Sequence, residues 1–183
     1  MVDNGAAVNQ AATDTGATPL FVAALGGHVE IVRLLVNGGA AVNHATTDTG
    51  TTPLFIALGH AKVVRLLIDS GAAVNQALST DGSTPLYIAT MKGHTEEVRM
   101  LIDSGAAVNQ ATTDRGATPL INAAQRGHTE VVRLLINGGA AVNQTATDKA
   151  ISPLLAATCG GHTEVASLLI SCGATMNEAD WPT

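Results

Sequence analysis

The sequence predicts an all-α repeat protein, a solenoid of stacked helix-turn-helix units joined by short β-hairpin loops. Three observations predict it. The asparagine of "GAAVN" or a close variant falls at Asn9, Asn43, Asn75, Asn109, Asn143 and Asn177, so successive copies lie 34, 32, 34, 34 and 34 residues apart. A period in that range marks a stacked repeat architecture, in which no single copy can bury its apolar face alone. Each copy holds Thr-Pro or Ser-Pro ahead of one short apolar run, followed by a second apolar run that stops at glycine or at Ser or Cys just before it. Hydrophobic residues make up 46% of the 183 residues but aromatic ones only 2%, so the core has to be built from Leu, Ile, Val and Ala.

The copy from Asn109 to Val142 justifies the elements in order. Thr118 and Pro119 read as an N-cap with Pro at the first helical position, where its missing N–H does no harm. Leu120, Ala123 and Ala124 give this first helix an apolar stripe of small residues, which lets neighbouring helices approach closely. It ends before Gly127. Thr129 and Glu130 open a second helix, with the carboxylate in its positive first turn, and Val131, Val132, Leu134, Leu135 and Ile136 are its expected buried face. Asn137, Gly138 and Gly139 stop it. Asp and Gly in "TTDRG" then mark a tight turn that links one copy to the next.

The pattern "G-x-TPL-x-x-AA-x-x-GH-x-E-VV-x-LL-x-x-GA-x-VN" resembles the ankyrin repeat, and it runs through five copies centred on Pro19, Pro53, Pro85, Pro119 and Pro153. The resulting organisation is a single array: a partial repeat at 1–8, repeats at 9–42, 43–74, 75–108, 109–142 and 143–176, and a partial hairpin at 177–183. The resemblance implies an ankyrin-type solenoid whose first helices and hairpins line a concave groove. It also implies non-enzymatic binding of another protein through that groove.

Three departures from the family pattern carry expectations. The position after "TPL", usually His, holds Phe21, Phe55, Tyr87, Ile121 and Leu155, which replaces a polar tie between units by apolar packing. The stretch from Asn to Gly through each hairpin, Asn9 to Gly16 for example, is one residue longer than the common form, so the fingers should be longer or bulged. The ends lack polar capping repeats: "VDNGAAVN" at the start matches "IDSGAAVN" at 68–75, and "GATMNEADWPT" enters a hairpin without completing it. A segment of a longer array is the expectation, or ends that stack on other molecules, with end-to-end self-association through the uncapped terminal repeats.

The short period belongs to "TPLFIALGH" at Thr52 to His60, which is "TPLFVAALGGH" at Thr18 to His28 with two residues removed. Removing two residues inside a helix would rotate everything beyond by about 200° and turn the apolar stripe away from the core. The loss must therefore fall at the end of the first helix, shortening it by about 3 Å and leaving a notch or local bend on the groove side.

Little in the chain points to catalysis. No nucleophile recurs beside a base, no glycine loop opens a helix toward a phosphate, and no residues have metal-ligand spacing. We expect no enzyme and no cofactor. His28, His60, His94, His128 and His162 form a column with a spacing of about 8–10 Å, too wide for shared zinc ligation, so packing at the start of each second helix is their expected role. His44 stands where other copies carry Gln and reads as drift on a hairpin. Asp14, Asp48, Asp81, Asp114 and Asp148 are expected turn formers that would bias the fingertips toward basic ligands. Glu30 with Arg33, Glu96 with Arg99 and Glu130 with Arg133 have i,i+3 spacing and read as solvated surface pairs. Cys159 and Cys172 should lie about 13 Å apart, beyond the reach of a disulfide.

Nine basic against fifteen acidic residues, a net charge of −6, argue against nucleic acid or an anionic membrane as partner. No apolar run approaches a membrane span, and no signal peptide opens the chain, so a cytoplasmic setting is the default expectation. The partner surface is read from what varies between copies. At the first-helix ends these are Leu25, then Met91 and Lys92, Gln125 and Arg126, and Cys159; at the hairpin tips Arg115 and Lys149 stand where earlier copies have Thr. Basic residues and adaptable Met gather in the third to fifth copies, so a protein partner is expected to dock there. A spacer segment with no ligand of its own remains the alternative, favoured by the bland Thr, Ala, Asn and Gln surface. An engineered repeat is disfavoured by the unmatched deletion and the scattered Cys and Met.

Overall fold

A computed structural model describes residues 7–147 and 150–176. Asp148, Lys149, Asn177 and the two terminal segments, on which several expectations fall, lie outside them. The described residues form five helix pairs and no strand: α1 (Pro19–Leu25) with α2 (Val29–Asn37), α3 (Pro53–Ile56) with α4 (Ala61–Asp69), α5 (Pro85–Lys92) with α6 (Thr95–Asp103), α7 (Pro119–Arg126) with α8 (Thr129–Asn137), and α9 (Pro153–Cys159) with α10 (Thr163–Ser171). They fall into two compact units, Met1–Thr80 and Asp81–Thr183.

Every first helix starts as its sequence requires. The side-chain oxygens of Thr18, Thr52, Thr84, Thr118 and Ser152 accept the backbone N–H three residues on, at 3.1–3.3 Å, and Pro follows each cap. Such a cap contributes about 1 kcal/mol, and here the capping side chains are themselves buried, so water cannot substitute for them. In α5 and α7 the stop is Gly93 and Gly127, both left-handed at φ +70° and +71°.

In the first unit α1 packs on α2 and α3, and α2 on α4. The two-residue deletion is confined where register demands: α3 keeps one turn of four residues against the seven of α1. Leu58, in the turn after α3, is buried beside Ala57 and takes the place of buried Ala24 in the first pair. The exposed Leu25 position has no counterpart. Beyond the turn the stripe of α4 is unrotated, with Val63, Val64 and Leu67 all fully buried.

In the second unit α7 packs on α5, α8 and α9, while α8 touches α6 and α10. Leu120, Ala123, Ala124, Val131, Val132 and Leu135 are buried as expected. Leu134 and Ile136 are only half-buried, a correction to the expected face: they flank the stripe at its edges, where α8 meets its neighbours rather than its own partner helix.

The loops between pairs close as hairpin-like turns without strand pairing. Ala12 N–H donates to Ala17 O at 2.9 Å and Thr112 N–H to Ala117 O at 3.0 Å. Neighbouring fingers are joined near their tips by one bond each, Thr47 N–H to Thr15 O at 3.1 Å in the first unit and Thr147 N–H to Arg115 O at 3.0 Å in the second. A single bond per finger pair is too little for a ladder.

The asparagine that defines the period is a clamp between copies. Asn109 Nδ2 donates to Gly139 O at 3.2 Å and its Oδ1 accepts from Ala141 N–H at 2.8 Å, so one amide holds both sides of the next pair's exit loop. Asn9 does the same with Gly39 and Ala41, and Asn43 with Gly71 and Ala73. Asn143 does so with Gly173 and Thr175. Only a side chain with a donor and an acceptor at this length meets both groups. Asn109→Ala removes both bonds at an exposed loop and is expected to cost about 1–2 kcal/mol in urea denaturation, with an unchanged m-value.

Candidate protein-binding surface

The fingers and first helices of the second unit enclose two adjoining concavities. One cavity of about 180 Å³ is lined by Tyr87, Arg115, Ala117, Ile121, Asn122, Gln125, Ala146 and Ile151. A second of about 260 Å³ is lined by Gln125, Ile151, Leu155, Ala156, Cys159 and Gly160. Gln125 and Ile151 border both, so the two form one run of surface from the finger of Arg115 to the end of α9.

Of the residues chosen from sequence, this surface brings together Arg115, Gln125 and Cys159. Arg126 is exposed beside it, its Nε donating to Asn122 Oδ1 at 3.1 Å, one turn earlier in α7. Met91 is half-buried and Lys92 exposed at the end of α5, and neither lines the cavities. Leu25 is 52% exposed but belongs to the first unit. Lys149 lies outside the described residues.

Tyr87, Asn122 and Ile151 line the surface and were not chosen. Asn122 had a signal: it is the one polar residue in a column otherwise occupied by Val22, Ile56, Ile88 and Ala156. Tyr87, read as packing, is half-buried with its phenol at the cavity. Burial first, and then the Asp114 carboxylate, push that phenol above its ordinary pKa, so it stays a neutral donor.

Electrostatics at the fingertips follow from turn geometry. Asp114 Oδ1 accepts from Arg115 N–H at 2.7 Å, and Asp48 Oδ1 from Thr49 N–H at 2.7 Å. The Thr112 hydroxyl, followed by the Arg115 backbone N–H, holds the Asp114 carboxyl below the usual carboxylate range. Thr46 and then Thr49 do the same for Asp48. Arg115 Nε sits 3.8 Å from Asp114 Oδ2, so the acidic tip is locally neutralised in this finger.

The histidine column packs between copies. His60 Nε2 lies 3.2 Å from Leu25 O and His162 Nε2 3.0 Å from Gln125 O, each reaching back to the preceding first helix. His94 instead meets the buried Glu97 through Nδ1 at 3.0 Å. Among the described residues no group of three His, Cys, Asp or Glu could hold a metal ion. Glu30 pairs with Arg33 at 3.5 Å and Glu130 with Arg133 at 3.6 Å, but Arg99 reaches Glu130 of the following pair at 3.9 Å rather than Glu96. Cys159 and Cys172 are free and exposed. No described helix is long and apolar enough to cross a membrane.

One family model, described as ankyrin repeats in three copies, matches residues 1–77, 74–146 and 104–180. No curated protein matches the chain.

Because the folded pKa of Asp114 is lowered, its contribution to finger stability is present above the ordinary Asp range and is lost as pH falls through the lowered value. A carboxylate-detected NMR titration should place its midpoint below 3.8, the ordinary value for Asp. Thr112→Val should move that midpoint upward; no movement would show that the hydroxyl is not the cause.

Proposed function

Because the chain belongs to the ankyrin repeat family, we propose that it is a protein-binding module whose partner docks on the finger and first-helix surface of the second unit. Ankyrin repeats are in general non-enzymatic modules of protein–protein interaction. The observation that carries the finer reading is the continuous concavity shared by Gln125 and Ile151. Its floor is apolar (Ile121, Ile151 and Leu155), while Tyr87, Asn122 and Gln125 offer polar groups at its margins and Arg115 and Arg126 stand beside them.

That arrangement suits a segment with a small apolar side chain for the floor and an acidic group for the guanidiniums. Tyr and Arg are among the residue types that most often anchor such contacts. The chain's net charge of −6 disfavours nucleic acid or an anionic lipid surface, and a cytoplasmic setting belongs to this same proposal.

The test is affinity capture from native extract with the parent chain and an Arg115→Glu, Gln125→Ala variant. Both side chains are exposed, so the helix stripes are untouched and the two proteins should unfold together. We expect proteins held by the parent to drop at least about tenfold with the variant, the effect of losing about 1.4 kcal/mol. Equal capture by both would sink this surface as the docking site, and no capture by either would favour a spacer.

A further inference from the structure

Two positions of the second unit carry a polar group that the scaffold does not require. The column after "TPL" holds Phe21, Phe55, Ile121 and Leu155, and Tyr87 alone adds a hydroxyl to it. The next column holds Val22, Ile56, Ile88 and Ala156, and Asn122 alone brings an amide. The first helix forms in the other copies without either group, so helix formation does not account for them. Both side chains line the cavity of about 180 Å³ between α5, α7 and the Arg115 finger.

Chemistry fixes which way the Asn122 amide is turned. Arg126 Nε can only donate, so the atom it meets at 3.1 Å is Oδ1, and Nδ2 is directed elsewhere. Asn122 is only 6% exposed, yet Nδ2 has no hydrogen-bond partner among the described residues, and neither has the Tyr87 phenol. No described side-chain nitrogen or oxygen is both sealed from solvent and unpartnered, so these two groups open on the cavity they line. Arg115 borders the same cavity. The carboxylates nearby are committed to their own turns: Asp114 Oδ1 accepts from Arg115 N–H at 2.7 Å, and Asp81 accepts from the Ser83 N–H at 2.9 Å and its hydroxyl at 2.8 Å. The phenol, the amide and the guanidinium are thus left as donors for an acceptor from outside.

We infer that this cavity is a subsite for the carboxylate of an aspartate or glutamate side chain on the partner protein, bound by the Tyr87 phenol, the Asn122 amide and the Arg115 guanidinium. The inference rests on the docking surface proposed above and names the group that this surface selects. A carboxylate offers two oxygens and about four lone-pair directions, enough for three donors that one carbonyl oxygen could not all satisfy. The volume suits a single side chain: an apolar cavity of about 150 Å³ holds a benzene ring, whereas sites for whole small molecules run to about 300–1,000 Å³. Gln125 and Ile151 continue the surface into the cavity of about 260 Å³, whose Leu155 and Ala156 fit an aliphatic residue beside the acidic one.

The test is selection of a random peptide library, fused at its C-terminus so that no terminal carboxylate is free, on the full chain. Selected sequences are then synthesised with both ends blocked and titrated calorimetrically against the parent, Tyr87→Phe and Asn122→Ala. Both variants should fold, because Phe21, Phe55 and Ala156 already occupy these columns. Selected peptides should share an acidic residue beside an aliphatic one, and each variant should weaken binding at least about tenfold, the loss of one hydrogen bond to a charged group. Exchanging the acidic residue for its amide should cost the parent more than it costs either variant. Peptides that need Arg115 and Gln125 but bind Tyr87→Phe and Asn122→Ala like the parent would overturn the subsite and leave the docking surface standing. Peptides indifferent to Arg115→Glu, Gln125→Ala, or no selection at all, would remove both. Enrichment only from a parallel library with free C-termini would overturn the assignment to a side chain.

Discussion

The junction between consecutive helix pairs is the contact on which the rest of the structure depends. Within one pair the stripe of a second helix closes on its first helix, as Val32 shows, but the residue before it in sequence faces outward and reaches full burial only against another pair. Burying a Val or Ile contributes about 1.5–3 kcal/mol, against about 1–2 kcal/mol for the two exposed hydrogen bonds of an Asn clamp. The apolar contact therefore supplies the larger share of the junction's energy. The clamp supplies register: an amide that must meet both Gly139 O and Ala141 N–H tolerates little sliding of one pair along the next.

That division of labour explains how the second copy survives its deletion. The junction residues lie on the second helix and its exit loop, and in this copy Val63, Val64 and the clamp of Asn43 on Gly71 and Ala73 are intact. The loss falls on the end of the first helix, where α3 keeps a single turn and Leu58 turns inward. What disappears is an exposed position of the kind that Gln125 and Cys159 occupy in the second unit. The core is preserved, and the exposed surface at the end of the first helix is reduced in this copy.

Much of this architecture was legible because its signals are local. A Thr before Pro caps a helix whatever surrounds it, glycine at positive φ ends one, and a fixed spacing of asparagines announces stacking. Less legible were properties that depend on which copy lies next door. The i,i+3 rule led Arg99 to Glu96, but its guanidinium reaches Glu130 across a junction at 3.9 Å, a choice no single copy encodes. Leu134 and Ile136 read as core from helical periodicity alone, yet they sit at the stripe's edges and are half-buried. Around the cavities of the second unit, variation between copies picked out Arg115, Gln125 and Cys159. It passed over Tyr87 and Ile151, whose contribution comes from the space left between fingers and helices rather than from their own residue type.

The pair Ile31 and Val131 offers the most direct measurement, since the two occupy one repeat position and differ in burial, Ile31 being 49% exposed and Val131 1%. Urea denaturation of Ile31→Ala and Val131→Ala at low protein concentration compares their costs. If junction burial holds the fold together, Val131→Ala should lose about 2–3 kcal/mol and Ile31→Ala under about 1 kcal/mol, even though the second removes the larger side chain. Equal losses, or a larger one at Ile31, would contradict the account.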